Sequence, residues 1–271
     1  MIKYMNVKGK VVIVTASTRG IGWACVQAFV REGAIVYLAA RNEEAAKKRI
    51  EELSGEPGQA KWVYCDASVK ESYASMAETV EQAEGRIDVL VNNFGTSDPR
   101  TDLDIARTRY EDFLDTLDKN LSSVFLSTQA VLPAMRKQGG GSIVNISSIG
   151  GQIPDIARIG YAVSKDAIIY LSKNIALQEG RNGIRVNVVC PGQTATDAVK
   201  NNMSDSFQEL FLRHTPIRRM GTPEEIAAAV LYFGSEEAAY TTGQVIAVSG
   251  GFGLGTPVYA ELSQLSAEDR H

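Results

Sequence analysis

KVVIVTASTRGIG, residues 10–22, places an apolar, β-branched run directly before a turn that carries two glycines. The chain continues with WACVQAFVREG (23–33), whose apolar residues recur at helical spacing. A strand feeding a helix through such a turn is the opening of a dinucleotide-binding unit. The pyrophosphate sits at the helix N-terminus, where unpaired N–H groups and the helix dipole favour an anion, and glycines let the backbone approach it. Gly20 and Gly22 supply the two closest approaches. Ala16 stands where the first glycine of the usual pattern would be, and its methyl is acceptable provided its φ is negative. The turn is read as intact, with Ser17, Thr18, Arg19, Gly20, Ile21 and Gly22 against the cofactor.

Working outward, further apolar runs occur at 35–40 (IVYLAA), 61–65 (KWVYC), 87–92 (IDVLVN), 142–147 (SIVNIS), 184–190 (IRVNVVC) and 244–249 (QVIAVS), so seven strands are expected. Helical spacing fills the gaps at 23–32, 43–53, 69–84, 110–135, 161–179 and 223–233. Strands that are continuously apolar, alternating with helices, imply a parallel sheet covered on both faces. The expected architecture is α/β: one Rossmann-like, doubly wound, parallel seven-stranded sheet flanked by helices, forming a single domain over 1–271. The least regular stretches, 96–108 and 193–216, each follow a strand's carboxyl end, where such folds bind ligands. In 193–216, Val199, Met203, Phe207, Leu210 and Phe211 are spaced to give a helix one apolar face, read as a lid over the substrate, and 252–271 is a C-terminal tail.

With 44% hydrophobic residues the 271-residue chain is long enough to bury a full core. A net charge of −4 and the lack of any long basic block remove the electrostatic basis for binding nucleic acid. Cys25, Cys65 and Cys190 are far apart and odd in number, so neither a disulfide framework nor a thiolate metal site is expected. His214 is the one internal histidine, which leaves no histidine set for a metal. No apolar run reaches bilayer length and MIKYMNVKGK has no signal-peptide core; a soluble, cytoplasmic protein with no membrane partner is expected.

The second strand indicates which dinucleotide. A carboxylate at its end would hydrogen-bond an adenosine ribose 2′-OH and mark NAD, whereas arginine accommodates a 2′-phosphate. The chain reads YLAARNEE (37–44): Ala40 replaces the acid, Arg41 follows, and Arg19 lies in the glycine turn. Two guanidiniums suit a phosphate dianion, so NADP(H) is the expected cofactor.

Chemistry concentrates in SSIGGQIPDIARIGYAVSK (147–165), which holds Ser148, Tyr161 and Lys165. Tyr161 and Lys165 are four residues apart on one helical face. A free tyrosine, with a pKa of about 10, is a poor base at neutral pH, and an adjacent ammonium is expected to lower that value. Ser148 has a hydroxyl free to hold a substrate oxygen beside Tyr161.

Over essentially its whole length the chain resembles the short-chain dehydrogenase/reductase family. The glycine turn, CDAS (65–68), NNFG (92–95), Asn120 in LDKN, Ser148, YAVSK (161–165) and PG (191–192) follow in the family's order. The resemblance implies that Tyr161 is the general acid/base, that Lys165 lowers its pKa and holds the nicotinamide ribose, and that Ser148 orients the substrate oxygen. Asn120 would position a water that relays protons to Lys165. It further implies that Asp66, with Ala67, meets the adenine, that Asn92 lines the nucleotide cleft, and that Thr194 and Thr196, after Pro191 and Gly192, meet the carboxamide and diphosphate. Phe94 departs from the family's alanine. Stretches such as PDIARIGYAVSK (154–165) and GGFGLGTPVYAE (250–261) resemble bacterial hydroxysteroid dehydrogenases in particular. A bile acid or related steroid is the implied substrate, at its 7α-hydroxyl, with a 12α-hydroxyl or another alicyclic ketone as the alternative. A homotetramer is implied as well. A non-catalytic NADP(H)-binding sensor would not need the complete Asn–Ser–Tyr–Lys set.

Overall fold

The computed structural model describes residues 5–197, 199, 204–256 and 258–265. Among these, seven strands form one sheet, all neighbours parallel, in the order β3-β2-β1-β4-β5-β6-β7. The strands are β1 Val11–Thr15, β2 Ile35–Ala39, β3 Gln59–Val63, β4 Val89–Asn92, β5 Gly141–Ile146, β6 Ile184–Pro191 and β7 Val245–Val248. The helices are α1 Gly20–Arg31, α2 Glu43–Glu51, α3 Ser72–Glu84, α4 Tyr110–Lys137, α5 Ile159–Glu179, α6 Asp205–Arg213, α7 Pro223–Gly234 and the short α8 Tyr259–Leu262. This is the doubly wound sheet that the sequence predicts.

The period of two along each strand divides the core. Val12 and Val14 of β1 pack with Phe29 of α1 and Ile226 and Phe233 of α7 on one face. Val11 and Ile13 pack on the other with Met76 of α3, Val131 and Met135 of α4 and Ile175 of α5. Both faces are covered, which is why β1 is apolar at every position but its last. The strand order reverses between β1 and β4, and the cleft at their carboxyl ends is where this topology places a ligand.

The third strand lies two residues earlier than its apolar run. Register with β2 pairs Ile35 with Gln59 and Ala39 with Val63, so Tyr64 and Cys65 fall past the strand end, in the loop that reaches the cleft. As an edge strand, β3 tolerates Gln59 and Lys61.

The expected apolar face over 193–216 divides. Phe211 of α6 stacks on Phe252 of the tail, centroids 4.9 Å apart, while Leu210 is exposed. Met203 lies outside the described residues. The stripe therefore serves partly to dock the tail. Cys25, Cys65 and Cys190 are free and buried. Among the described residues no helix is long and apolar enough to cross a membrane.

Candidate active site

The glycine turn departs from expectation at its first position. Ala16 has a φ of 51°, in the left-handed region, where an alanine costs about 1–2 kcal/mol relative to the right-handed one. Hydrogen bonds hold it there: Ala16 N–H donates to the Ala39 carbonyl at 3.0 Å, and Asn93 Nδ2 donates to the carbonyls of Thr15 and Ala16 at 3.2 and 3.1 Å. The reason for Gly22 is the same contact. A Cβ there would lie 2.5 Å from Asn93 Nδ2 and 2.6 Å from the Ala16 carbonyl oxygen. Gly22 thus lets the helix close onto the turn, and Gly20, with a φ of 55°, faces the Thr196 methyl across the cleft.

Asn92 is corrected. Its side chain is buried away from the cleft: Oδ1 accepts from Ser127 Oγ at 2.6 Å, and Nδ2 donates to Asn145 Oδ1 at 2.9 Å. Strand alternation places Asn92 with Leu90 on the α4 side and Asn93 with Val91 on the α1 side, a signal present in the sequence. Ile21 likewise turns its side chain into the α1/α7 core and leaves its backbone for the cleft.

Ser17 Oγ is buried without a hydrogen-bond partner among the described residues. An orphaned hydroxyl inside the turn has the chemistry a cofactor would satisfy. The Thr18 carbonyl accepts from Arg49 Nε at 3.1 Å, a tie from α2 to the turn that the sequence did not disclose. Arg19 is exposed at the α1 N-cap. A cavity of about 480 Å³ is lined by Arg41, Asn42, Glu43, Glu44, Tyr64 and Asp66. The Asp66 carboxyl is held below the usual range, first by hydrogen bonds from Ser68 N–H and Oγ and less by Arg41; Ala67 lies half-buried beside it. The acidity of this wall is moderated where Glu43 pairs with Lys47 at 2.8 Å.

Across the cleft, Pro191 ends β6, and a Cβ on Gly192 would meet Ser249 Cα at 2.7 Å, so this glycine serves packing against the end of β7. Thr194 is buried, bridges Gly221 and bonds the Gly192 carbonyl at 3.1 Å. Thr196 Oγ1 accepts from Val199 N–H at 3.3 Å.

The candidate reacting groups come from α5 and the turn that follows β5. Ser148, just past β5, begins a tight turn in which its Oγ accepts from Gly150 N–H at 3.1 Å. Its hydroxyl also acts on the half-buried Tyr161, favouring the phenolate. Lys165, one turn further on, is buried, donates to the Ile146 carbonyl at 2.9 Å, and places Nζ 5.6 Å from the Tyr161 ring centre. Gly95 makes room for it, since a Cβ there would be 2.8 Å from Nζ. Asn120 is fully buried: its Oδ1 accepts from Thr96 N–H at 2.8 Å, and its Nδ2 donates to the Thr96 carbonyl at 2.9 Å and to Ser164 Oγ at 3.0 Å.

Electrostatics here run against the simplest expectation. Burial pushes the Tyr161 phenol above its ordinary value; the Ser148 hydrogen bond and then the Arg158 charge oppose this. Lys165 is not what offsets the burial of Tyr161. It is itself lowered by burial to about 8. Arg158 was not singled out by sequence: its guanidinium lies 5.2 Å from the Tyr161 ring centre, and its backbone is left-handed at φ 55°. Among non-glycine residues such strain gathers at functional sites.

A family model described as enoyl-(acyl carrier protein) reductase matches residues 15–253. The chain is 51% identical to 7alpha-hydroxysteroid dehydrogenase of Clostridium sardiniense, over 94% of this chain and 98% of that one. It is 46% identical to 7alpha-hydroxysteroid dehydrogenase of Paraclostridium sordellii, over 94% and 96%. A solved structure described as 7 alpha-hydroxysteroid dehydrogenase complexed with NADH and 7-oxo glycochenodeoxycholic acid superposes with a TM-score of 0.86 at 35% identity, covering 91% of this chain and 95% of that one.

Proposed function

The chain belongs to the short-chain dehydrogenase/reductase family of oxidoreductases, and from that premise we propose that it interconverts the 7α-hydroxyl and 7-ketone of bile acids with NADP(H). The observation that carries the reading is the meeting of Ser148, Tyr161 and Lys165, with the Ser148 hydroxyl acting on the Tyr161 phenol and Lys165 Nζ 5.6 Å from the Tyr161 ring centre. A secondary alcohol placed between Ser148 and Tyr161 gives its O–H proton to the Tyr161 phenolate, which becomes the phenol, its carbinol C–H leaves as hydride with the bonding electron pair, and the C=O bond forms. The nicotinamide, when bound, supplies the two-electron acceptor or donor. Ser148 holds the oxygen, Lys165 contributes the positive charge beneath, and Asn120 orders the neighbouring loop through Thr96. The names of the relatives supply the substrate class.

The substrate assay is decided by three bile acids. Cholate carries hydroxyls at carbons 3, 7 and 12, chenodeoxycholate lacks the one at 12, and deoxycholate lacks the one at 7. Turnover of the first two and none of the third is expected, followed as NADPH formation. Oxidation of deoxycholate but not chenodeoxycholate moves the reaction to carbon 12, and inactivity on all three removes the steroid.

NADP(H) rather than NAD(H) is supported by Ala40 where an acid would bind the ribose and by Arg41 in the wall of the adjacent cavity. Ser17, Thr18, Arg19, Gly20, Asp66, Thr194 and Thr196 complete the proposed cofactor surface. Arg41→Ala is expected to raise KM for NADP⁺ about 10- to 100-fold and to leave that for NAD⁺ nearly unchanged, one charged hydrogen bond being worth about 1.5–3 kcal/mol. A wild-type preference for NAD⁺ overturns this assignment. Self-association into a homotetramer is supported by exposed apolar residues on α4 and α5, among them Phe125, Tyr170 and Leu177. We place the protein in the cytoplasm, in keeping with its three free cysteines.

A further inference from the structure

We propose that Asp102 is a positioning residue that seats Tyr161 for proton transfer, an inference that rests on the reading of Tyr161 given above. A helix start leaves N–H groups without partners, and α5 has no side-chain cap of its own. The loop 96–108 supplies what is missing. The Leu103 carbonyl accepts from Ile159 N–H at 3.0 Å. Asp102 Oδ1 accepts from Gly160 N–H at 2.8 Å, and Oδ2 from Tyr161 N–H at 2.9 Å. Ser97 Oγ donates to the same Oδ2 at 2.9 Å.

The carboxylate is 1% exposed, and the positive end of the helix is what it faces. Gly160 keeps the space open for it. A Cβ there would lie 3.2 Å from Asp102 Oδ1 and 3.1 Å from Thr116 Cβ. The residue held by Oδ2 is Tyr161 itself, through its backbone. Ser148, its partner, belongs to a different element, so the alignment of phenol and hydroxyl depends on how the start of α5 is seated. The same loop grips Asn120 through Thr96. One carboxylate thus ties the loop at the mouth of the site to the group that exchanges the proton.

The test uses the full chain with Asp102→Ala, Asp102→Asn and Gly160→Ala, with Tyr161→Phe alongside. The measurements are kcat, the NADPH dissociation constant by fluorescence, melting temperature, and the deuterium isotope effect with chenodeoxycholate labelled at carbon 7. For Asp102→Ala, kcat is expected to fall by up to about 100-fold, as for a reacting group displaced by about 1 Å. NADPH affinity should stay within about threefold while the isotope effect rises, because the chemical step has become slower. Asp102→Asn keeps one acceptor oxygen and should recover melting temperature more fully than kcat, and Gly160→Ala should raise the isotope effect by displacing the carboxylate from the other side. If kcat follows melting temperature across the series with an unchanged isotope effect, or if Asp102→Ala retains kcat within about threefold, the inference is overturned. If Asp102→Ala does not fold, the isotope effect of Asp102→Asn decides. An active Tyr161→Phe sinks the reading of Tyr161 whatever the others do; an inactive one beside unaffected Asp102 variants sinks the positioning role alone.

Discussion

Tyr161→Phe is expected to lower kcat by about 10³-fold while leaving NADPH binding within about threefold, because the ring still packs and only the proton-transferring hydroxyl is lost. The half-buried Tyr161 ring has Arg158 over its face and Lys165 close by, and burial holds its phenol above the ordinary value. Alcohol oxidation consumes the phenolate and ketone reduction consumes the phenol. On this account kcat/KM for oxidation rises toward alkaline pH, and that for reduction declines only at the alkaline end. Arg158→Met removes one of the two influences that favour the phenolate, so both limbs should move to higher pH. Activity of Tyr161→Phe within tenfold of the parent enzyme rules out the assignment.

Lys165→Met should abolish turnover and yet stabilise the protein at neutral pH. Burial lowers the Lys165 ammonium from 10.5 to about 8. Between these two values the unfolded chain binds a proton that the folded chain does not, so stability rises with pH across that window; below about 8 the cost of burying the charge is fully present. Removing the charge at pH 7 relieves a penalty of the order of 3 kcal/mol. Part is offset, since the Ile146 carbonyl loses its donor. A net rise in melting temperature of about 3–6 °C is expected at pH 7, shrinking toward zero near pH 10. A variant less stable than the parent at pH 7 would show that this buried ammonium is compensated. A more stable variant, by contrast, would make the lysine an example of stability given up at a working site.

Much of this architecture is legible in the chain. Seven apolar runs alternating with helical periods permit little but a doubly wound sheet, because each run must be covered on both faces and each crossover must carry a helix. Tyr161 and Lys165 share a face by the helical repeat alone, and Ser148 follows a strand whose end must lie at the cleft. Register is less legible: β3 was displaced by two residues because its pairing with β2, rather than its own hydrophobicity, fixed where it begins.

What only the tertiary structure decided are the interactions made across long separations. The φ of Ala16 is set by Asn93, 77 residues away, whose amide grips the turn carbonyl. Asp102 meets the start of α5 from 58 residues upstream, and no local pattern in DLDIART marks it as a cap for that helix. The protonation of Tyr161 follows burial, opposed by Ser148 and Arg158 rather than by the neighbour four residues on. Periodicity is a property of contiguous residues and is written in the sequence. A hydrogen bond between distant segments, and the desolvation of a side chain, exist only once the sheet has brought those segments together.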